Sequence, residues 1–189
     1  VFPPMDEDDK FAILPYFWIP EDTLALRVRR DHVPYDIWER QGFLQTTEGN
    51  VVHYGYIEKF IEQLGERFNI REIAFDRWGA VQMVQNLEGM EFTVVPFGQG
   101  FKDMSPPTKE LMKLTLEQKL AHGGHPVLRW MMDNIFIRTD PAGNIKADKE
   151  KSTEKIDGAI ATIIGLDRAI RCGNMNTESV YDARGILFI

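Results

Sequence analysis

Two aspartates occupy positions where protein chains carry out chemistry. In Arg71-Glu72-Ile73-Ala74-Phe75-Asp76, Ile73 and Phe75 alternate with Glu72, Ala74 and Asp76, the period-two pattern of a strand. After Asp76 the spacing turns helical, with Trp78, Val81, Val84 and Leu87 on one stripe. Asp76 thus lies where a strand hands over to a helix, and in open α/β sheets ligands collect outside the carboxyl ends of the strands. The same place also suits a helix N-cap, since the first helical amides need an acceptor. Asp157 falls in the first turn of a final helix expected over residues 155–171, one residue off its apolar stripe of Ile156, Ile160, Ile163 and Ile170. An acid there complements the positive end of the helix dipole. It equally presents a second carboxylate toward the sheet edge beside Asp76, and spacing leaves both open.

Other candidate chemistry is weaker. His122-Gly123-Gly124-His125 holds two imidazoles, but the glycines break the helix that would align them on a metal and no third ligand is near in sequence. Cys172 is the single cysteine, which excludes disulfide frameworks and multi-thiolate metal centres and reads as a structural thiol. Gly98-Gln99-Gly100 is not followed by Gly-Lys-Ser/Thr, so this stretch forms no phosphate loop and supplies no ATPase site.

The elements that must position the two acids are legible from periodicity. Phe11 to Pro20 is apolar and aromatic, a strand in which Pro15 demands an edge position or a bulge, with a hairpin partner expected before Val1. A short helix is expected around residues 22–30, and Gly42 marks the end of another. Ile57, Phe60, Ile61, Leu64 and Phe68 fall at helical spacing from Tyr54, and Asn69 closes that helix. Gly89 ends the helix after Asp76, and residues 91–96 read as the next strand. Helix and strand alternating in this way imply parallel strands joined by helical crossovers. Ser105, followed by Pro106 and Pro107, predicts a helix over residues 106–121 that carries Leu111, Leu114 and Leu120. Asp140-Pro141-Ala142-Gly143 predicts a β-hairpin between residues 135–139 and 144–146. Ser152 or Thr153 is the expected N-cap of the final helix, whose Gly158, Ala159, Ala161 and Gly165 lower helix propensity and so imply close packing. The apolar tail, residues 179–189, is expected to add a strand or pack on the sheet.

The chain has 189 residues, 43% hydrophobic and 27% charged, which bounds it as one globular domain over residues 1–189. No apolar run approaches the ~20 residues of a membrane span and no signal peptide is present, so a soluble, cytoplasmic protein is expected. The net charge of −7 argues against a free-standing nucleic-acid binder and makes any DNA affinity local or metal-assisted. Basic residues cluster at Arg27, Arg29 and Arg30 and at Lys146, Lys149, Lys151 and Lys155, each readable as a solvated face. The opening Val1-Phe2-Pro3-Pro4 reads as part of a longer protein.

Four stretches together resemble the nuclease domain of tailed-phage terminase large subunits, the HK97-like branch: Phe75-Asp76-Arg77-Trp78-Gly79-Ala80; Gly98-Gln99-Gly100-Phe101 with Met104-Ser105-Pro106-Pro107-Thr108-Lys109-Glu110-Leu111; His122-Gly123-Gly124 with Pro126-Val127-Leu128-Arg129-Trp130; and Lys149-Glu150-Lys151-Ser152-Thr153-Glu154-Lys155-Ile156-Asp157-Gly158. The resemblance runs from the Tyr16-Phe17-Trp18-Ile19-Pro20 region to Tyr181-Asp182-Ala183-Arg184-Gly185. It implies an α/β fold with a ribonuclease H-like mixed sheet flanked by helices. It also implies cutting of concatemeric viral DNA during genome packaging in the host cytoplasm, with two divalent cations, Mg²⁺ or Mn²⁺. Asp76 and Asp157 match the family's catalytic, metal-binding acids; the family's first acid lies on an opening strand that the resemblance places before Val1, leaving this chain without its first strand. Asp6, Asp8 and Asp9 read as turn residues and poor substitutes for it. Arg77, Lys151 and Lys155 flank the two acids and are candidate phosphate contacts. The implied partners are double-stranded DNA, the terminase ATPase domain, the small terminase subunit and the portal, with no membrane. The competing expectation is a non-catalytic docking module of the motor; a resolvase or transposase core fits the acids but not the other motifs.

Overall fold

The computed structural model describes residues 1–5, 7–76 and 81–173. Asp6, Arg77, Trp78 and the tail expected over residues 179–189 lie outside the described residues. The proline-interrupted opening forms two short strands, β1 (Phe11–Ala12) and β2 (Trp18–Pro20), with the break around Pro15. β2 pairs in parallel with β3 (Gln45–Thr47) across α1 (Leu24–Asp31) and α2 (Tyr35–Arg40), and Gly42, at φ 78°, turns the chain after α2. Phe2 bridges Ala12 in antiparallel fashion, so a partner expected before Val1 is supplied in part by the first residues themselves.

The unit that matters most for the site is β4 (Ile73–Asp76), the crossover helix α4 (Val81–Gly89) and β5 (Val94–Phe97). β4 and β5 run parallel, as the alternation implies, with Asp76 opposite Phe97. The amphipathic α3 (Tyr54–Arg67) precedes them and is tied to α4 by Asn86, whose amide donates to both carboxylate oxygens of buried Glu58 at 3.0 Å. Val81 is 71% exposed, so the expected α4 stripe keeps its inner end at Leu87 and loses its outer one.

α5 (Phe101–Leu116) starts earlier and ends sooner than the sequence predicts. Its N-cap is Gly100, not Ser105, and Pro106 and Pro107 lie inside the helix. Each proline withholds a backbone donor, and burial of Met104, Ser105, Pro107 and Thr108 on the same turns offsets that cost. The Ser105 hydroxyl is used elsewhere, accepting the Ile145 amide at 3.1 Å. At the other end Gln118 takes a left-handed φ of 58°, and its amide and that of Lys119 donate back to Thr115 and Leu114, a Schellman closure. Leu120 therefore belongs to β6 (Leu120–Ala121), which pairs in parallel with β1.

α6 (Pro126–Asp133) leads into the expected hairpin, β7 (Ile137–Thr139) with β8 (Ile145–Ala147), antiparallel and closed by Asp140, whose Oδ1 accepts the Ala142 and Asn144 amides. α7 (Asp157–Cys172) ends the described chain. Its N-cap is Ile156, because Ser152 is spent on the Phe136 amide and the Asp148 carbonyl while Thr153 donates to Asn134. Among the described residues the strands pair as four two-stranded ladders, parallel except for β7–β8, and no helix is long and apolar enough to cross a membrane.

α7 is the spine of the larger core: Ile156, Ala159, Ile160, Ile163, Ile164 and Leu166 pack with Phe97, Met104, Leu111, Leu114 and Ala147. Ile170, expected in that stripe, is 46% exposed, because Leu166 and Ala169 take the inward face in the last turns. A second core gathers Ile19, Val33, Tyr35, Trp38, Leu44, Val127 and Met131. Gly158 joins the two, since an added Cβ would lie 2.6 Å from the Phe17 ring and 2.9 Å from the Met131 sulfur. Gly158→Ala is therefore expected to destabilise the chain by about 1–3 kcal/mol despite the better helix propensity of alanine. Thermal unfolding should show a fall of several degrees in Tm, and an unchanged Tm would mean that Phe17 yields freely.

Candidate functional site

β4 and α7 pack against one another and together line one cleft of about 530 Å³. Period two puts Glu72, Ala74 and Asp76 on one face of the strand, and helical spacing puts Asp157, Ile160, Ala161, Ile164 and Arg168 on the facing side of α7; all of them line the cleft. One end is pinned by Arg168 Nε donating to Glu72 Oε2 at 2.6 Å. From Glu72 to Asp76 the strand advances about 13 Å, and from Arg168 back to Asp157 the helix covers about 16 Å. Both acids, like the Glu72–Arg168 pair, thus stand on the wall of this one cleft.

Each carboxylate there faces a donor from a neighbouring element. Gln99, two residues past the end of β5, donates its Nε2 to Asp76 Oδ2 at 2.6 Å. Parallel register explains the meeting, because Asp76 and Phe97 are paired and residues beyond both strand ends share one edge. Gln99 is itself held by Lys146 Nζ, which donates to its carbonyl at 3.3 Å and lies 5.3 Å from the centre of the Phe101 ring. Lys149 Nζ donates to Asp157 Oδ1 at 2.8 Å, an exposed pair with the side chains 46% and 66% accessible. The loop carrying Lys149 is fixed by buried Asp148, whose Oδ1 accepts the Glu150 and Lys151 amides and whose carbonyl accepts the Ser152 amide and hydroxyl.

Of the site residues predicted from sequence, the structure brings Asp76 and Asp157 together on one cleft. Lys151 lies away from it, 5.5 Å from the Phe136 ring centre, and Lys155, whose carbonyl accepts from Asn134, is likewise absent from the cleft wall. Arg77 is outside the described residues. Asp8 turns back on Met5, and Asp9 pairs with Lys119 at 3.3 Å, both away from the cleft. His125 caps α6 through a long 3.5 Å acceptance from the Leu128 amide and packs against Phe17 and Phe43; burial, with the charge of His122, pushes its pKa down. Sequence reasoning missed Gln99 and Lys149. The signal for Gln99 was present, a polar side chain just past the strand parallel to the one ending in Asp76, whereas nothing in spacing links Lys149 to Asp157.

Carboxylate oxygens are the ligands that hard divalent cations prefer. Asp76 and Asp157, with an ammonium already seated on one of them, offer oxygen donors of the kind such an ion takes. No group of three acids, histidines or cysteines able to hold a metal occurs among the described residues. Glu72 also lines the cleft, but its carboxylate is committed to Arg168, which with burial opposing holds its pKa below the usual glutamate value. Burial, with Glu72 beside it, pushes the neighbouring Cys172 thiol up.

A model of the family "terminase large subunit, endonuclease domain" matches residues 2–172. The chain is 39% identical over 165 residues to the terminase large subunit of Enterobacteria phage HK97, covering 86% of this chain and 33% of that protein. It is 30% identical over 166 residues to protein YmfN of Escherichia coli strain K12, covering 85% of this chain and 36% of that protein. The crystal structure of the HK97 bacteriophage large terminase superposes with a TM-score of 0.79 at 38% identity, over 85% of this chain and 34% of that one. The chain thus spans about a third of the length of the relatives it matches, and its mixed α/β, ribonuclease H-like fold is the one expected.

The Glu72–Arg168 pair is the anchor of the cleft, with each side chain about one-fifth exposed. A double-mutant cycle of Glu72→Gln and Arg168→Gln should give a coupling of about 1 kcal/mol at neutral pH, discounted for that exposure. Because the folded-state pKa of Glu72 is lowered from 4.5, the contribution is complete above that value and fades as pH falls below it. Urea titrations at pH 7 and near pH 3.5 should show the coupling shrink, and a coupling that persists in acid would deny the pair its ionic character.

Proposed function

The chain belongs to the terminase large-subunit endonuclease-domain family, and on that premise we propose that it is the divalent-metal-dependent DNA endonuclease of a packaging motor, cutting concatemeric viral DNA. The observation that supports this reading is that Asp76 and Asp157 both line the β4–α7 cleft. Asp76 and Asp157 would hold a Mg²⁺ or Mn²⁺ ion, while Gln99 orients the Asp76 carboxylate. Bound there, such an ion neutralises phosphate charge and lowers the pKa of a bound water so that hydroxide is available near neutral pH. The two-cation arrangement implied by the resemblance needs a further carboxylate to bridge the ions, in addition to these two. Double-stranded DNA is the substrate on this reading, with Arg77 proposed as a phosphate contact, while Lys151 and Lys155, which stand off the cleft wall, would meet the duplex only beyond the acids. The motor's ATPase domain, the small terminase subunit and the portal are its partners, in the host cytoplasm.

The chain's own charge supports a metal-assisted rather than a diffuse electrostatic mode of DNA engagement. A net charge of −7 repels a polyanion at long range, so binding must be concentrated where cations gather. The competing docking-module reading draws on the same surplus charge and on the commitment of the third cleft acid among the described residues, Glu72, to Arg168.

Cleavage of supercoiled plasmid in Mn²⁺ separates the two. The chain should nick DNA in an EDTA-sensitive manner, and Asp76→Ala and Asp157→Ala should each lose at least about 100-fold in rate, since even indirect loss of metal-site support costs 10–100-fold. Circular dichroism should show both variants folded. Retained metal-dependent cutting by both variants would remove these acids from the site, and a folded wild-type chain that never cuts would favour the docking module.

A further inference from the structure

We propose that Lys149 is a built-in competitor for the cation at Asp157: its ammonium fills the cation's place on the metal-free acid and, once displaced by the ion, faces the DNA phosphate. This rests on the metal-dependent reading above and concerns a residue outside the acids themselves.

The geometry is specific. Lys149 Nζ sits on Asp157 Oδ1 at 2.8 Å, occupying one of the two carboxylate oxygens Asp157 has to offer a cation, and both residues line the cleft that holds Asp76. The lysine is delivered by a backbone held in place rather than by a loose surface strand. Asp148 is 6% exposed and accepts the two amides that follow Lys149, while Ser152 closes the same turn onto the Asp148 carbonyl and the Phe136 amide. Lys146 and Lys151, the neighbouring lysines, are occupied at the Gln99 carbonyl and the Phe136 ring, so Lys149 is the one aimed at an acid of the site.

The strength of the contact matches an exchangeable role. With 46% of the lysine and 66% of the aspartate side chain accessible, the pair belongs to the weak, solvent-screened class. A divalent ion carrying twice the charge on a compact centre displaces an ammonium of that kind, whereas a buried pair would resist it. Without the ion, Lys149 offsets the repulsion between gathered carboxylates; with the ion bound, the freed ammonium adds one positive charge at the mouth of the cleft, where a phosphate must enter. Lys149 is therefore a positioning residue whose two jobs have opposite consequences when it is removed.

The test is Mn²⁺ titration of the metal-free 189-residue chain by calorimetry, alongside DNA affinity in Mn²⁺. Lys149→Met should bind Mn²⁺ about two- to five-fold more tightly than wild type, the range that loss of an exposed ion pair supplies. The same variant should bind a DNA duplex more weakly, and Lys149→Arg should restore both values toward wild type. Asp157→Asn should lose Mn²⁺ binding. Unchanged Mn²⁺ affinity in Lys149→Met, with Asp157→Asn defective, overturns the competition while leaving the metal site standing. If neither wild type nor Lys149→Met takes up Mn²⁺, the metal-dependent reading fails, and the competition fails with it.

Discussion

The seating of α7 is the constraint on which the site depends. Its inward face, Ile156, Ala159, Ile160, Ile163 and Leu166, is almost wholly removed from water against α5, β5 and β8. At about 25 cal/mol per Å² of apolar surface, burial of that many aliphatic side chains outweighs any single polar contact in the cleft. The helix consequently has one rotation and one height relative to the rest of the fold. Asp157 sits between Ile156, which is 2% exposed, and Gly158, whose missing side chain lets the backbone rest on Phe17 and Met131. A carboxylate flanked in this way cannot drift, even though its own side chain is open to solvent.

Placement of Asp76 follows from the same helix by way of the strand it faces. The β4–β5 pairing fixes which residues end the strand together, and the Glu72–Arg168 bond sets the sliding position of strand against helix. Had β4 slipped by one residue, alternation would have turned Asp76 to the opposite face and presented Phe75 to the cleft. Gln99 depends on this register too, for it reaches Asp76 only because the two parallel strands stop level with one another.

Much of this frame was legible in the sequence because it rests on local periodicity. Ile73 and Phe75 declared a strand, Ile156, Ile160 and Ile163 declared the inner face of α7 though Ile170 did not join it, and Asp140 to Gly143 declared a turn that the structure closes through the Asp140 carboxylate. Several of the failures share one cause: a residue with a strong local preference was claimed by a distant partner. Ser105 reads as a cap but bonds the Ile145 amide forty positions on, and Ser152 and Thr153 read as caps but serve Asp148, Phe136 and Asn134. A different, local failure is Gln118, which takes a left-handed turn usually given to glycine, ends α5 before Leu120 and sends that leucine into β6. The Lys149–Asp157 contact is of the first kind, since an eight-residue separation across a loop corresponds to no helical or strand period.

The two ion pairs on the cleft also differ in how firmly their charges are held, and that difference separates scaffold from site. Glu72 and Arg168 are each about one-fifth exposed and bonded at 2.6 Å, so replacing either partner strands a poorly solvated charge. Asp157 and Lys149 are roughly half to two-thirds exposed, so water competes for both and the pair is cheap to open. α7 therefore carries a half-shielded ion pair to the β4 segment near its C-terminal end and a solvent-exposed one to the preceding loop at its first residue. Rigidity at the first makes exchange at the second useful, because a ligand that displaces Lys149 meets carboxylates whose backbones the core and the far ion pair have already positioned.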